Sequence, residues 1–167
     1  MGKLVVVEND KVEGTDMHNL SGPGVTASPP PVAANYIGVG SFDYVGKMTG
    51  QLSDFVKIGG KPVALKSSKS SLNPGEDAPP AGKHSGPQVK NPLPILTTPI
   101  VATVPSLKID DPVGDGTPSA TAGSKFVKVN SEAMLLDGDK IDTCDGFSVP
   151  MNSTVTAEGQ DFVNCSE

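Results

Sequence analysis

The stretch Phe55–Ser68, FVKIGGKPVALKSS, decides the fold. Phe55 to Ile58 is a short β-favouring run, Gly59-Gly60 supplies a turn, and Pro62 to Leu65 is a second run. Gly-Gly between two such runs predicts a tight β-hairpin, because both central residues of the turn need positive φ. The unit recurs. Phe126–Asp139, FVKVNSEAMLLDGD, has the same length and the same Phe-Val-Lys opening before a β-branched residue. The last six residues, FVNCSE, repeat the first half of the unit, and the first ten, MGKLVVVEND, repeat the second half. Gly2-Lys3 sits where Gly60-Lys61 sits, and Val5, Val6 and Val7 fall on Val63, Ala64 and Leu65. The pattern predicts two whole hairpins and a third split across the termini, which then lie side by side.

Composition points the same way. The 167 residues suit one domain, read as 1–167. With 36% apolar residues, 4% aromatics and no Trp, the chain has too little apolar bulk for a thick core. Its 19 glycines and 16 prolines leave few windows of helical length, and the best, around Met48–Phe55, is two turns long. The predicted class is therefore all-β, short-stranded and loop-rich.

Net charge is −6, with lysines scattered singly and no basic stripe interleaved with aromatics, which argues against nucleic acid as a partner. The longest apolar-rich run, Leu93–Val104, is broken by prolines and does not span a bilayer, so stable membrane insertion is not expected. The opening MGKLVVVEND lacks the pattern of a signal peptide, and the expected site of synthesis is the cytoplasm. Cys144 and Cys165 do not make a disulfide framework.

Between the hairpins, Lys11–Gly24 reads as a polar turn region carrying His18. Val25–Val32, with three consecutive prolines, reads as extended and polyproline-like. Ala33–Asp54 is mixed, with Tyr36-Ile37 and Phe42–Val45 as short strands or packing anchors. Residues 69–92 read as a long loop carrying His84, and loops of that length are usually functional or mobile. Leu93–Ile109 reads as extended edge strands interrupted at Pro94, Pro99 and Pro105. Asp110–Ser124 is a turn-rich link.

After each hairpin comes one residue able to bind a borderline metal: His18, His84 and Cys144, which include both histidines of the chain. Three equivalent hairpins about an axis bring three equivalent loops together, and two imidazoles with a thiolate suit tetrahedral zinc. In a core-poor chain a structural zinc would supply folding free energy directly. The bland reading is exposed histidines and a buried cysteine. For a fourth ligand the candidates are Asp16, Asp142, Asp145, Glu76, Asp77 or water. Cys165 is a poor one, since the repeat puts it at the mid-strand slot of Ile58 and Val129, where a small hydrophobe fits.

Catalytic signatures are lacking. There is no G-x-S-x-G and no phosphate-cradling loop, and carboxylates such as Asp110-Asp111 beside Gly and Pro are usually turn formers. DGDKIDTCDG, residues 137–146, lacks the terminal Glu and helices of a calcium loop. The chain is not expected to be an enzyme.

In IGGKPVAL (58–65), VNSEAMLLDGDKIDTCDG (129–146) and the acidic-turn-His pattern of 10–18, the chain resembles the PAAR-repeat and PAAR-like tip proteins of contractile injection systems. These include type VI secretion and extracellular phage-tail-like particles. The resemblance implies a cone of β-strands with pseudo-threefold symmetry, whose base sits on a trimeric β-helical spike, one tip per trimer. It implies a structural tip that sharpens the spike for piercing a target envelope, with effector cargo as a further partner. It implies zinc at the point, held here by His18, His84 and Cys144, and a mature location at the tip of a secreted or extracellular particle. Three features depart from the pattern. Asn9-Asp10 and Ser67-Ser68 stand where Gly-Asp is usual, the second loop is long, and the chain has two histidines against the usual three. The alternatives are a small metal-dependent enzyme or ligand-binding β-domain with the same three residues around an open coordination position, and a metal-free β structural protein.

Overall fold

A computed structural model describes residues 2–26, 29–72, 84–85, 100–102, 108–109, 115–143 and 153–166. Among them there is no helix, and fifteen strands carry the architecture. The first half holds β1 (Lys3–Leu4), β2 (Lys11–Thr26), β3 (Ala33–Gly50), β4 (Lys57–Ile58), β5 (Lys61–Pro62), β6 (Lys69–Leu72) and β7 (His84–Ser85). The second half holds β8 (Ile100–Ala102), β9 (Lys108–Ile109), β10 (Thr117–Pro118), β11 (Lys128–Val129) and β12 (Glu132–Ala133). It ends with β13 (Lys140–Asp142), β14 (Ser153–Thr156) and β15 (Asn164–Cys165).

The three hairpins are β4-β5, β11-β12 and β15-β1, all antiparallel. In the third, Lys3 faces Cys165 and Leu4 faces Asn164, so the chain's two ends close one hairpin. Gly59 and Gly60 have φ of +58° and +84°, and the equivalent Asn130 and Ser131 have +50° and +70°. The second turn thus holds the conformation of the first without glycine.

Past each turn the three chain segments join in a ring. Single bridges link Val7 to Val63, Leu65 to Met134 and Leu136 to Val5. At the centre, the Ala64 N–H donates to the Val6 carbonyl (2.9 Å), that of Leu135 to Ala64 (2.9 Å), and that of Val6 to Leu135 (3.0 Å). A second cycle runs from Glu8 to Pro62 (2.8 Å), Lys66 to Ala133 (2.9 Å) and Asp137 to Leu4 (2.9 Å). The two cycles run in opposite senses, so each hairpin donates to both of its neighbours around a pseudo-threefold axis.

Strand alternation sorts the side chains into two layers. Val5, Val7, Val63, Leu65, Met134 and Leu136 pack with Ile58 and Val129 in one cluster. Val6, Ala64 and Leu135, all fully buried, face the other way into a cluster with Val12, Tyr44, Met48, Ile141 and Val155. Full burial of a Val or Leu is worth about 1.5–3 kcal/mol, so small layers suffice when each is sealed on all sides.

The second layer fills a narrow six-stranded barrel. Its strands run β10-β13-β14-β2-β3-β6, and a bridge closes β6 onto the residue before β10, with Ser70 and Gly116 exchanging two bonds of 3.0 Å. Inside, the Tyr44 hydroxyl meets Ser70 Oγ at 2.8 Å and Thr143 Oγ1 meets Ser153 Oγ at 2.6 Å. Gly46 is required by this crowding. A Cβ there would lie 2.6 Å from the Ser71 carbonyl oxygen and 2.6 Å from Tyr44 Cε1. Gly46→Ala is expected to cost about 3 kcal/mol, the upper end for overpacking, read as a lower denaturant midpoint at unchanged m-value.

The intervening segments differ from their sequence reading. Lys11–Gly24 is not a polar turn region but most of β2, paired to β3 over fifteen consecutive positions from Lys11–Lys47 to Val25–Ala33. Ala33–Gly50 is one strand rather than a mixture. Of Val25–Val32, read as polyproline-like, the first two residues are strand instead, and 27–28 lie outside the described residues. Val25 and Thr26 finish β2, the Thr26 N–H donates to the Val32 carbonyl, and the Val32 N–H donates to Thr26 Oγ1, both at 2.9 Å. Of the long loop 69–92, Lys69–Leu72 pairs with β3 as β6 and His84-Ser85 pairs with β3 as β7. The edge-strand reading of Leu93–Ile109 holds for β8 and β9, which both pair with β2, while 93–99 and 103–107 lie outside the described residues.

Candidate functional site

Two features stand out: the threefold base and a histidine row on the long sheet. The base is built by repetition of one local device. Each unit turns out of its second strand through Asp10, Ser68 or Asp139. Asp10 Oδ2 accepts the N–H of Val7 (2.7 Å), Ser68 Oγ that of Leu65 (2.8 Å), and Asp139 Oδ2 that of Leu136 (2.8 Å). Asn9, at φ +68°, occupies the left-handed position of Gly138, at φ +83°. Asn9-Asp10 thus stands in for Gly138-Asp139 in both backbone conformation and acceptor, and Ser68 in the acceptor alone. Asp10 does more, since its Oδ1 also accepts Glu158 (3.1 Å) and Gly159 (2.6 Å). Burial pushes its carboxyl up from the ordinary 3.8, against the opposing pull of the Val7, Gly159 and Glu158 N–H groups and Lys61.

A buried cap precedes each hairpin: Ser53, Ser124 and Gln160. Ser53 Oγ accepts Val56 N–H (3.1 Å), Ser124 Oγ accepts Val127 (3.0 Å), and Gln160 Oε1 accepts Val163 (2.7 Å). Two residues after each cap stands a phenylalanine. Phe55, Phe126 and Phe162 are 62%, 74% and 64% exposed. They are equivalent positions of the ring, so they stand at one level about the axis. A groove beside Phe55 is lined by Leu52, Leu65, Val129, Asn130 and Glu132, and runs between one hairpin and the next.

The histidine row is set by register. His18 on β2 faces Gly40 on β3, and Gly40 faces His84 on β7. His18 lies six residues beyond Val12 along β2, and Gly40 four before Tyr44 along β3. The two histidine positions are thus brought into one cross-strand row with a residue lacking a side chain between them. Cys144 lies outside the described residues, as do Glu76, Asp77 and Asp145. Asp142 has a buried Oδ1 with no partner among the described residues, at the end of β13.

Cys165 is aligned with Ile58 and Val129 in the hairpin register and packs against their cluster. Burial pushes its thiol up, which disfavours the thiolate a metal requires. Sequence reasoning missed the three phenylalanines as a set. The signal was present, since all three open a repeat, but an apolar residue at a strand start reads first as core.

No family model, no curated protein and no solved structure matches the chain.

Proposed function

We propose that the chain is a structural tip that caps a homotrimeric spike of a contractile injection particle, stapled by a metal and performing no turnover. The observation that carries the reading is the cyclic set of bonds Val6–Leu135–Ala64. Through it one chain presents three equivalent faces, as a monomer seated on a trimer must. The likeness of the hairpin sequences to PAAR-type tips supports the same reading. Capping also covers the strand ends of the trimer, which are otherwise open to pairing with other chains. Native mass spectrometry of the assembled spike tests it, with one copy of this chain per three spike subunits expected. A ratio of one to one sinks the reading.

The staple is proposed at His18, His84 and Cys144, where zinc would tie β2, β3 and β7 to the segment after β13. Elemental analysis is expected to find about one zinc per chain. Chelation is expected to lower the melting temperature by more than about 5 °C, and the His18→Ala/His84→Ala variant to start at that lower value and ignore the chelator. A chelator effect of equal size in the double variant would rule out the two histidines.

A further inference from the structure

We infer that Phe55, Phe126 and Phe162 form a three-point apolar anchor for a homotrimer that offers three identical apolar pockets. The trimeric partner rests on the capping reading above; the anchor and its chemistry come from the base itself. Three large aromatic side chains, each more than 60% exposed, sit at cyclically equivalent positions. Isolated exposed apolar residues are ordinary, but a symmetric set is not what scatter produces. Val56 and Val163, the residues that come after two of them, pack against the hairpin cluster, so alternation turns the phenylalanines outward from it. Aromatic side chains are enriched at interfaces, and one buried in a well-packed pocket can carry much of the binding energy. Three such points at one level match a C3 partner in which each protomer contributes one pocket.

The test places a photo-crosslinking p-benzoylphenylalanine at 55, 126 or 162 in the full chain within the producing cell. All three positions are expected to crosslink to the same segment of one polypeptide, in a complex holding three copies of it. Each single Phe→Ser change is expected to weaken that complex about tenfold or more, and by similar factors at the three sites. The free variants are expected to melt within about 1 °C of the parent, because the side chains are exposed. Adducts to different proteins, to another copy of this chain, to lipid alone, at one position only or at none overturn the inference. If a one-to-three spike complex forms undiminished with the Phe→Ser variants, the anchor fails and the capping reading stands. If all three positions map to a homotrimer that is no spike, the anchor stands and the capping reading fails.

Discussion

Deleting residues 162–167 is expected to lower the melting temperature by about 10 °C. The deletion removes β15 and with it one wall of the threefold base. Val163 and Cys165 leave the hairpin cluster, against which both are packed and partly buried. The Val5 N–H loses the Val163 carbonyl at 3.1 Å, and Ser124 Oγ loses the Ser166 carbonyl at 2.7 Å. Gln160 is buried and donates through Nε2 to the carbonyls of both Val5 and Val163. It would keep the first and lose the second, together with the Phe162 and Val163 N–H groups that its Oε1 accepts. Partial burial of two apolar side chains and a stranded buried amide together come to about 4 kcal/mol. In a domain of this size each kcal/mol moves the midpoint by about 2–4 °C. Calorimetry on the full and shortened chains reads the effect, with Phe162→Ser as the control for losing an exposed aromatic. A shift under about 2 °C would mean that the split hairpin closes the base without supporting it.

How much of the fold and the site was legible depends on the range of the contacts. The hairpins are local, and Gly59-Gly60 announces a turn whose positive φ the structure confirms. The split hairpin was legible only through repetition, because FVNCSE and MGKLVVVEND carry no turn between them. β2 was not legible as a strand, and of β3 only Tyr36-Ile37 and Phe42–Val45 were read as short strands or packing anchors. Their glycines and Pro23 read as turn signals, yet fifteen consecutive pairs hold them as one ladder. Gly46 shows why local propensity loses there: the barrel is too narrow for a Cβ beside Tyr44, so a residue poor in strand propensity is the one that fits. The histidine row was half legible. Placement after successive repeats singled out His18 and His84, but their sharing a row through Gly40 is a matter of register, which sequence spacing of sixty-six residues does not encode.

Asp10→Ala is expected to be the costliest single change in the base, at about 4 kcal/mol. The side chain is buried at 1% exposure and satisfies three backbone donors, those of Val7, Glu158 and Gly159. Two of these lie 148 and 149 positions away, so the carboxylate ties the first turn to the segment leading into the split hairpin. A buried donor left unpaired costs about 1–3 kcal/mol, with the sum reduced by relaxation. Its equivalents rank the effect. Asp139 accepts two donors, Leu136 and Gly123, both at 2.8 Å, and is expected to cost about 2–3 kcal/mol on truncation. Ser68 accepts one and donates one, to the Gln51 carbonyl at 2.8 Å, and is expected to cost about 1–2 kcal/mol. Restoring the acidic residue with Ser68→Asp is expected to destabilise, because the carboxylate would face the Gln51 carbonyl that the serine hydroxyl now satisfies. The Asp10 effect also carries a pH signature. Burial raises the folded carboxyl above its ordinary 3.8, so the native state holds this proton more tightly than the unfolded chain. The contribution is then fullest below 3.8 and is lost as pH rises through the raised value. The penalty of Asp10→Ala, measured as the difference from the parent chain in denaturant melts, is therefore expected to grow between about pH 7 and about pH 4. A penalty that shrinks on acidification would mean that the three N–H donors outweigh desolvation at this carboxyl, and a Ser68→Ala cost above that of Asp10→Ala would reverse the ranking.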